Sequence, residues 1–407
     1  MIRLNYLFKL TNSIYGVVIL LYMLSYDTNI NININIGNIR LIISLILLVL
    51  STFVIFVYKN QEERNKKSIF VFMTILIVIF VFIPITQKDL SNYHENVSYS
   101  IKNLLFILNI FSMAWYINKT NQKRTILNIT YYIISLFLIY KYMTNFDGFE
   151  GIKQACNIFN KNERYRNNYG LWHANTVSVL CFITLSISTV IKSKKYNFTR
   201  IINFFMIIIL LSTASRTALI CISLFYVIRF IIKKYEKIKE KIIKVMLIML
   251  SLVLGFFLIT ILINITNDQF NEFLKYSNRS HNFTYNIPIF INSCSTKFGL
   301  GAVNVYLEKF NNYNFLAIDN SYLSILFAYG YIGLFGIMLV LISIGRKILT
   351  LRNYNNYRMY TIGLFLVFIL YSLYEDILFN QALLVTFIYW IEIISSISIN
   401  DKDDVLI

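Results

Sequence analysis

Apolar runs of thirteen to about twenty residues, separated by short polar stretches, repeat along the whole chain. A run near twenty residues, coiled as a helix, matches the roughly 30 Å hydrocarbon core of a bilayer. Read this way, the pattern predicts twelve spans, at 13–26, 39–58, 68–86, 100–118, 125–144, 173–191, 201–213, 217–232, 245–265, 321–344, 359–374 and 380–397. The first run, "YGVVILLYMLSY", is followed by no small-residue cleavage site and reads as a retained span rather than a signal peptide. "NINININIG" (29–37) alternates as a strand would, yet Ile and Asn abound everywhere, so it reads as compositional bias with no function attached.

Basic residues then set the orientation. With the N-terminus inside, segments such as "KNQEERNKK", "KSKKYNFTR" and "RFIIKKYEKIKEKIIK" face the cytoplasm and hold most of the 38 Lys and Arg, the bias expected of inner loops. The formal charge of +18 therefore implies no nucleic-acid partner. The same reasoning divides 201–232. A single helix there would run about 48 Å, too long for a bilayer. It would also turn "KKYEKIKEK" outward and erase the bias. The stretch is thus predicted to be a hairpin with its tip, "STASRTALI", at the outer side. A first arm of about 13 residues, roughly 20 Å, would leave that tip in a recess below the membrane surface. Arg216 beside the tip then lines a polar cavity, the alternative being a snorkelling side chain at a helix turn.

Composition agrees. The chain is 57% hydrophobic, 16% aromatic and only 14% charged, whereas soluble domains carry roughly 25% charged residues. The expected class is an all-α polytopic membrane protein of about twelve helices, a single membrane domain over 1–407 in the cytoplasmic (plasma) membrane with both termini cytoplasmic. Outer loops are expected at 145–172 and 266–320, the latter large. Cys181 and Cys221 fall in apolar runs and should be packed there; a Cys156 to Cys294 bridge is one further option, and no cysteine spacing points to a metal.

Several outer residues run against the inside bias and need a local reason, for which anion binding is one candidate and a solvated loop the other. Arg164 and Arg166 precede "WHANTVSV", where His173 and Asn175 begin a span. Arg279 and His281 lie in "KYSNRSHNFTYNIPIF". Asp319, Asn320 and Ser321 lead into "DNSYLSILFAYGYIGLFGI". Glu375 and Asp376 in "LYEDILFNQ" either line the same cavity or cap a helix. Most aromatics read as packing; Trp172 and Tyr285, in outer polar surroundings, are kept as glycan contacts.

The hairpin "STASRTALI", the arginine of "NRSHNFTYNIPIF", the turn "FGLGAVNVY" and the run "DNSYLSILFAYGYIGLFGI" together resemble the O-antigen ligase and polymerase superfamily. The closer likeness is to capsular or O-antigen repeat-unit polymerases, often called Wzy. These motifs cover about 201–336; the first 140 residues match only in being hydrophobic. Ligases of the superfamily place a histidine before N-S-Y-L, where this chain has Asp319, which favours polymerase over ligase. The resemblance implies joining of oligosaccharides carried on undecaprenyl diphosphate at the outer membrane face, with no nucleotide sugar, cofactor or metal. It also implies a chain-length regulator and a flippase of the same pathway as partners. An arginine can grip a leaving diphosphate bidentately and a carboxylate can take an acceptor proton. Arg216 and Arg279 are accordingly the diphosphate clamps and Asp319 the base candidate, with His281 and His173 as other bases. Arg164, Arg166, His173, Asn175, Asn320, Tyr285 and Trp172 are substrate contacts. Two other classes compete. A transporter or lipid-linked glycan flippase should show internal repeats and Gly- or Pro-broken helices, neither visible in the sequence. A structural scaffold would not gather outer arginines.

Overall fold

The computed structural model describes residues 2–28, 36–58, 66–86, 92–146, 166–191, 196–234, 285–293, 296–306, 309–310, 313–314, 318–350 and 356–398. Among them the chain is helical apart from loops and one two-residue antiparallel ladder, β1 (Lys309–Phe310) with β2 (Tyr313–Asn314). The helices are α1 (Ile2–Ser25), α2 (Ile36–Val57), α3 (Lys66–Ile77), α4 (Tyr93–Thr120), α5 (Lys123–Thr144), α6 (Ala174–Ser188), α7 (Tyr196–Ser212) and α8 (Arg216–Lys234), followed by the short α9 (Ile287–Asn292) and α10 (Ala302–Tyr306), then α11 (Ser321–Thr350), α12 (Asn356–Tyr371) and α13 (Leu384–Ser398). A helix lies over each predicted apolar run except 245–265, which falls outside the described residues. Among the described residues six helices are long and apolar enough to cross a membrane; α6, α7 and α13 are apolar but shorter.

Burial sorts these helices by environment. Along α2, Ile42, Leu45, Val49, Phe53 and Phe56 are exposed, a lipid-facing stripe. By contrast α12 and α13 are buried almost all round, as a helix is when other helices surround it. α13 touches α1, α3, α4, α6, α11 and α12 and forms the axis of the bundle.

Two backbone breaks follow from single residues. Pro84 has no N–H, so the carbonyl of Phe80 loses its helical donor. α3 answers by continuing through a π-helical stretch, Val78–Phe82, where the Ile83 N–H reaches back to the Val78 oxygen. Asn103 Nδ2 on α4 donates to the freed Phe80 carbonyl at 3.2 Å. In α11, Gly330 adopts φ 68°, ψ −169° and interrupts the helix, a conformation that side chains with a Cβ disfavour. The freed groups are taken by residues 296–301. Leu300 and Gly301 donate to the carbonyls of Phe327 (2.7 Å) and Ala328 (3.1 Å), and Tyr331 donates to that of Thr296 (3.1 Å). A Cβ on Gly299 would sit 2.4 Å from the Ala328 carbonyl carbon, so "FGLG" is the backbone that mends the break. The sequence shows no broken helix; the structure has one, because the glycine's effect depends on a segment thirty residues earlier.

At the end of the bundle formed by the starts of α5 and α12 and the last turns of α13, a polar cluster is sealed. Lys123 (3% exposed) lies over the Tyr357 ring at 3.6 Å and donates to Ser396 Oγ at 3.3 Å. Tyr357 donates to Glu392 Oε2 at 2.9 Å, and the Lys123 charge acts on Glu392 (2% exposed). The cysteines Cys181 and Cys221 are buried among helices, as expected; Cys156 and Cys294 lie outside the described residues.

Candidate functional site

At the opposite end, four stretches converge: the end of α1, residues 166–173 ahead of α6, the pair Asp319–Asn320 ahead of α11, and the loop 372–383 between α12 and α13. Residues 166–172 hold together through an Asn167 turn, whose Oδ1 accepts from the Tyr169 N–H at 2.7 Å. This segment docks on the end of α1, with the Thr28 N–H on the Gly170 oxygen (3.0 Å) and the Trp172 N–H on the Tyr26 oxygen (2.8 Å). α1 is itself tied to α5 by the buried ion pair of Asp27 and Lys141.

The Arg hairpin breaks where the charge argument places it. α7 and α8 are separated by Thr213–Ser215, with Ala214 at φ 48°, and both arms pack on α6. The recess has a different cause from the one expected. The first arm has 17 residues rather than 13, about 26 Å, because its helix starts at Tyr196 in a polar stretch. The tip is buried instead by residues 166–169. The Asn167 N–H meets the Ser212 oxygen at 3.4 Å, Tyr169 and Ser212 share a hydroxyl hydrogen bond, and Arg166 Nε reaches the Thr213 oxygen at 3.4 Å. Arg216 opens α8 with its Nε buried and without a hydrogen-bond partner among the described residues.

From the tip a polar chain runs inward: Arg166 Nη2 donates to Asn175 Oδ1, and Asn175 Nδ2 donates to Glu375 Oε1 at 2.5 Å. Glu375 sits on the loop 372–383, which "NS" of "DNSYL" stitches down. Asn320 Oδ1 accepts from the N–H groups of Tyr322 (2.9 Å) and Leu323 (3.0 Å), an N-cap, and its Nδ2 donates to the Leu373 oxygen at 2.8 Å. Ser321 Oγ donates to the Glu375 oxygen at 2.8 Å and accepts from Ile377 and Leu378. Asn320, expected to contact substrate, is thus 5% exposed and occupied by the fold. The cap belongs to Asn320 and not to Asp319, which stays exposed.

These elements enclose a cavity of about 380 Å³ lined by Trp172, His173, Asn175, Asp319, Glu375 and Asp376, with Tyr26 and Asn380 among its other walls. That volume suits a small-molecule site. Among the described residues the charged lining is acidic; the cations stand behind it, Arg166 through Asn175 and Arg216 beyond the tip. His173 precedes α6, and its Nδ1 accepts the Asn175 N–H at 3.1 Å. This assigns a neutral ring with its proton on Nε2. Enclosure in the cavity wall, then the Arg166 charge, hold its pKa below the ordinary histidine value, against the pull of Asp319. His173 is thus the N-cap of α6.

The structure therefore brings together Trp172, His173, Asn175 and Asp319 around the cavity, with Arg166 one hydrogen bond behind. Tyr285 is exposed beside α9 and is not among the cavity's lining residues. Arg164, Arg279 and His281 lie outside the described residues. The sequence reading missed Tyr26 and Asn380, since the end of an apolar helix and a loop asparagine carry no pattern of their own. No protein-family model matches this chain, and no curated protein matches it.

Proposed function

We propose that this protein is a polysaccharide polymerase of the outer membrane face, extending surface glycan from repeat units carried on undecaprenyl diphosphate. The carrying observation is the union, around one cavity, of the exposed carboxylate Asp319 with a neutral histidine and a hydrogen-bonded chain from the half-buried Arg166 at the hairpin tip. Asp319 takes the proton from the acceptor hydroxyl as that oxygen attacks the anomeric carbon, and the electron pair of the breaking bond leaves on the diphosphate. The acidic wall suits the hydroxyl-rich acceptor, whose O–H groups donate to carboxylates. Arg216, with an unused buried Nε, and Arg279 serve the diphosphate side, where a planar fork matches phosphate. The Gly330 break, a feature transporters use to bind ions, does not favour transport here, because residues 296–301 already occupy its freed backbone groups.

The test is glycan analysis of a strain lacking the protein. Loss of a polymerase leaves single lipid-linked units at the outer face. Units trapped inside would indicate a flippase, and polymer left unattached would indicate a ligase; either result sinks the proposal.

A further inference from the structure

A second polar opening lies on the side of the bundle, between α2 and α4. This shallow groove, open to the surface and with an enclosed volume of about 20 Å³, is lined by Tyr22, Arg40, Lys102, Asn109, Gln381 and Phe387 among others. Arg40 is the fifth residue of α2, about 6 Å in from the helix start, at the end of the bundle that carries the cavity. Its guanidinium lies 4.3 Å from the Tyr22 ring centre and makes one long hydrogen bond, 3.5 Å, to the Ala382 oxygen. Lys102 faces outward from α4 and has no hydrogen bond or ion pair among the described residues. Among the described residues no acidic side chain lines the groove. Two cations so placed, beside lipid-facing apolar surface, are costly without a counter-anion. On the floor, Asn109 is 2% exposed, its Oδ1 is buried without a partner among the described residues, and its Nδ2 is committed to the Leu105 oxygen at 3.0 Å. The groove thus offers two cationic donors at its open side.

We infer that this groove binds the headgroup of a membrane lipid through its phosphate diester. The phosphate sits at the open side of the groove, between Arg40 and Lys102. The acyl chains lie along Ile42, Leu45 and Val49 of α2 and Ile101 of α4, all exposed apolar positions on the flanking helices. Arg40 and Gln381 connect this groove to the cavity, since Gln381 and Ala382 belong to the loop whose Asn380 and Leu383 line it. The inference rests on the groove and not on the polymerase reading.

The experiment is native mass spectrometry of the full chain with phosphatidylglycerol titrated in. Arg40 also holds Tyr22 and Ala382, so Arg40→Gln alone could unfold the region; Lys102→Gln changes an exposed side chain and is the informative variant. A charge-assisted hydrogen bond is worth about 1.5–3 kcal/mol, so Lys102→Gln should weaken retention on the order of tenfold or more, with an unchanged melting temperature. Arg40→Lys, which keeps the charge, should retain lipid. Diacylglycerol, which lacks the phosphate, should not be held, and millimolar inorganic phosphate should not displace the lipid. Unchanged retention in Lys102→Gln, equal retention of diacylglycerol, or displacement by inorganic phosphate would each overturn the site.

Discussion

The two ends of the bundle use the same kinds of residue to opposite effect. At one end Lys123, Tyr357, Glu392 and Ser396 close on each other, each within reach of a partner and almost fully buried. At the other, Asp319, Glu375, Asp376 and His173 stand around open space, and the caps and turns that hold them are made by His173 itself and by Asn320, Ser321 and Asn167. A polar cluster that satisfies itself stabilises or specifies the fold; one held open by neighbouring groups remains available to a ligand. The contrast separates residues to be tested by stability from residues to be tested by turnover.

The largest effect is expected at the open end. Asp319→Asn removes the proton-accepting lone pair without touching the helix cap. Turnover on a lipid-linked repeat unit should drop roughly 10² to 10⁴-fold while the melting temperature holds. Near-normal turnover would move the base elsewhere. At the sealed end, Glu392→Ala leaves the buried Tyr357 hydroxyl without its acceptor and should cost about 1–3 kcal/mol in denaturant unfolding. A loss well under 1 kcal/mol would mean the cluster is wetter than its burial indicates. Gly330→Ala, which forces a Cβ to within 2.3 Å of the Lys297 carbonyl oxygen at φ 68°, should cost about 1–3 kcal/mol by unfolding and detach residues 296–301. Faster amide exchange at Leu300 and Gly301 is the direct readout.

Smaller effects sharpen the boundary between cap and site. Asn320→Ala should lose about 1 kcal/mol or more of stability, and Asn320→Asp, which keeps the cap but sets a carboxylate against the Leu373 oxygen, should lose about as much. A turnover loss in Asn320→Asp without a stability loss would return Asn320 to the substrate contacts. For His173 the folded pKa lies below the ordinary 6.5, so the unfolded chain binds the proton first. Stability is complete above that value and declines as pH falls from 6.5 through the folded pKa. A small drop in melting temperature below pH 6.5, absent in the cap-competent His173→Asn, is the expected result.

Much of the architecture is written locally. Apolar runs of bilayer length located the helices, and the charge of the loops split 201–232 at the turn where Ala214 now stands, because each signal depends only on neighbours in the chain. The site was legible in part for the same reason. "WHANTVSV" and "DNSYL" mark helix starts, and capping chemistry is local, though which of Asp319 and Asn320 would cap was not decided by their spacing alone. Where the reading failed, distance was the cause. The burial of the hairpin tip comes from residues 166–169, the break at Gly330 is held by 296–301, and Tyr26 and Asn380 reach the cavity only because α1 and the loop before α13 meet there. The sequence by itself determined a helical chain for an apolar solvent and the residues capable of acid, base and anion chemistry. The tertiary structure alone decided which of them share a cavity and which are consumed in holding it open, since a hydrogen bond between residues 175 and 375 has no trace in either one's neighbourhood.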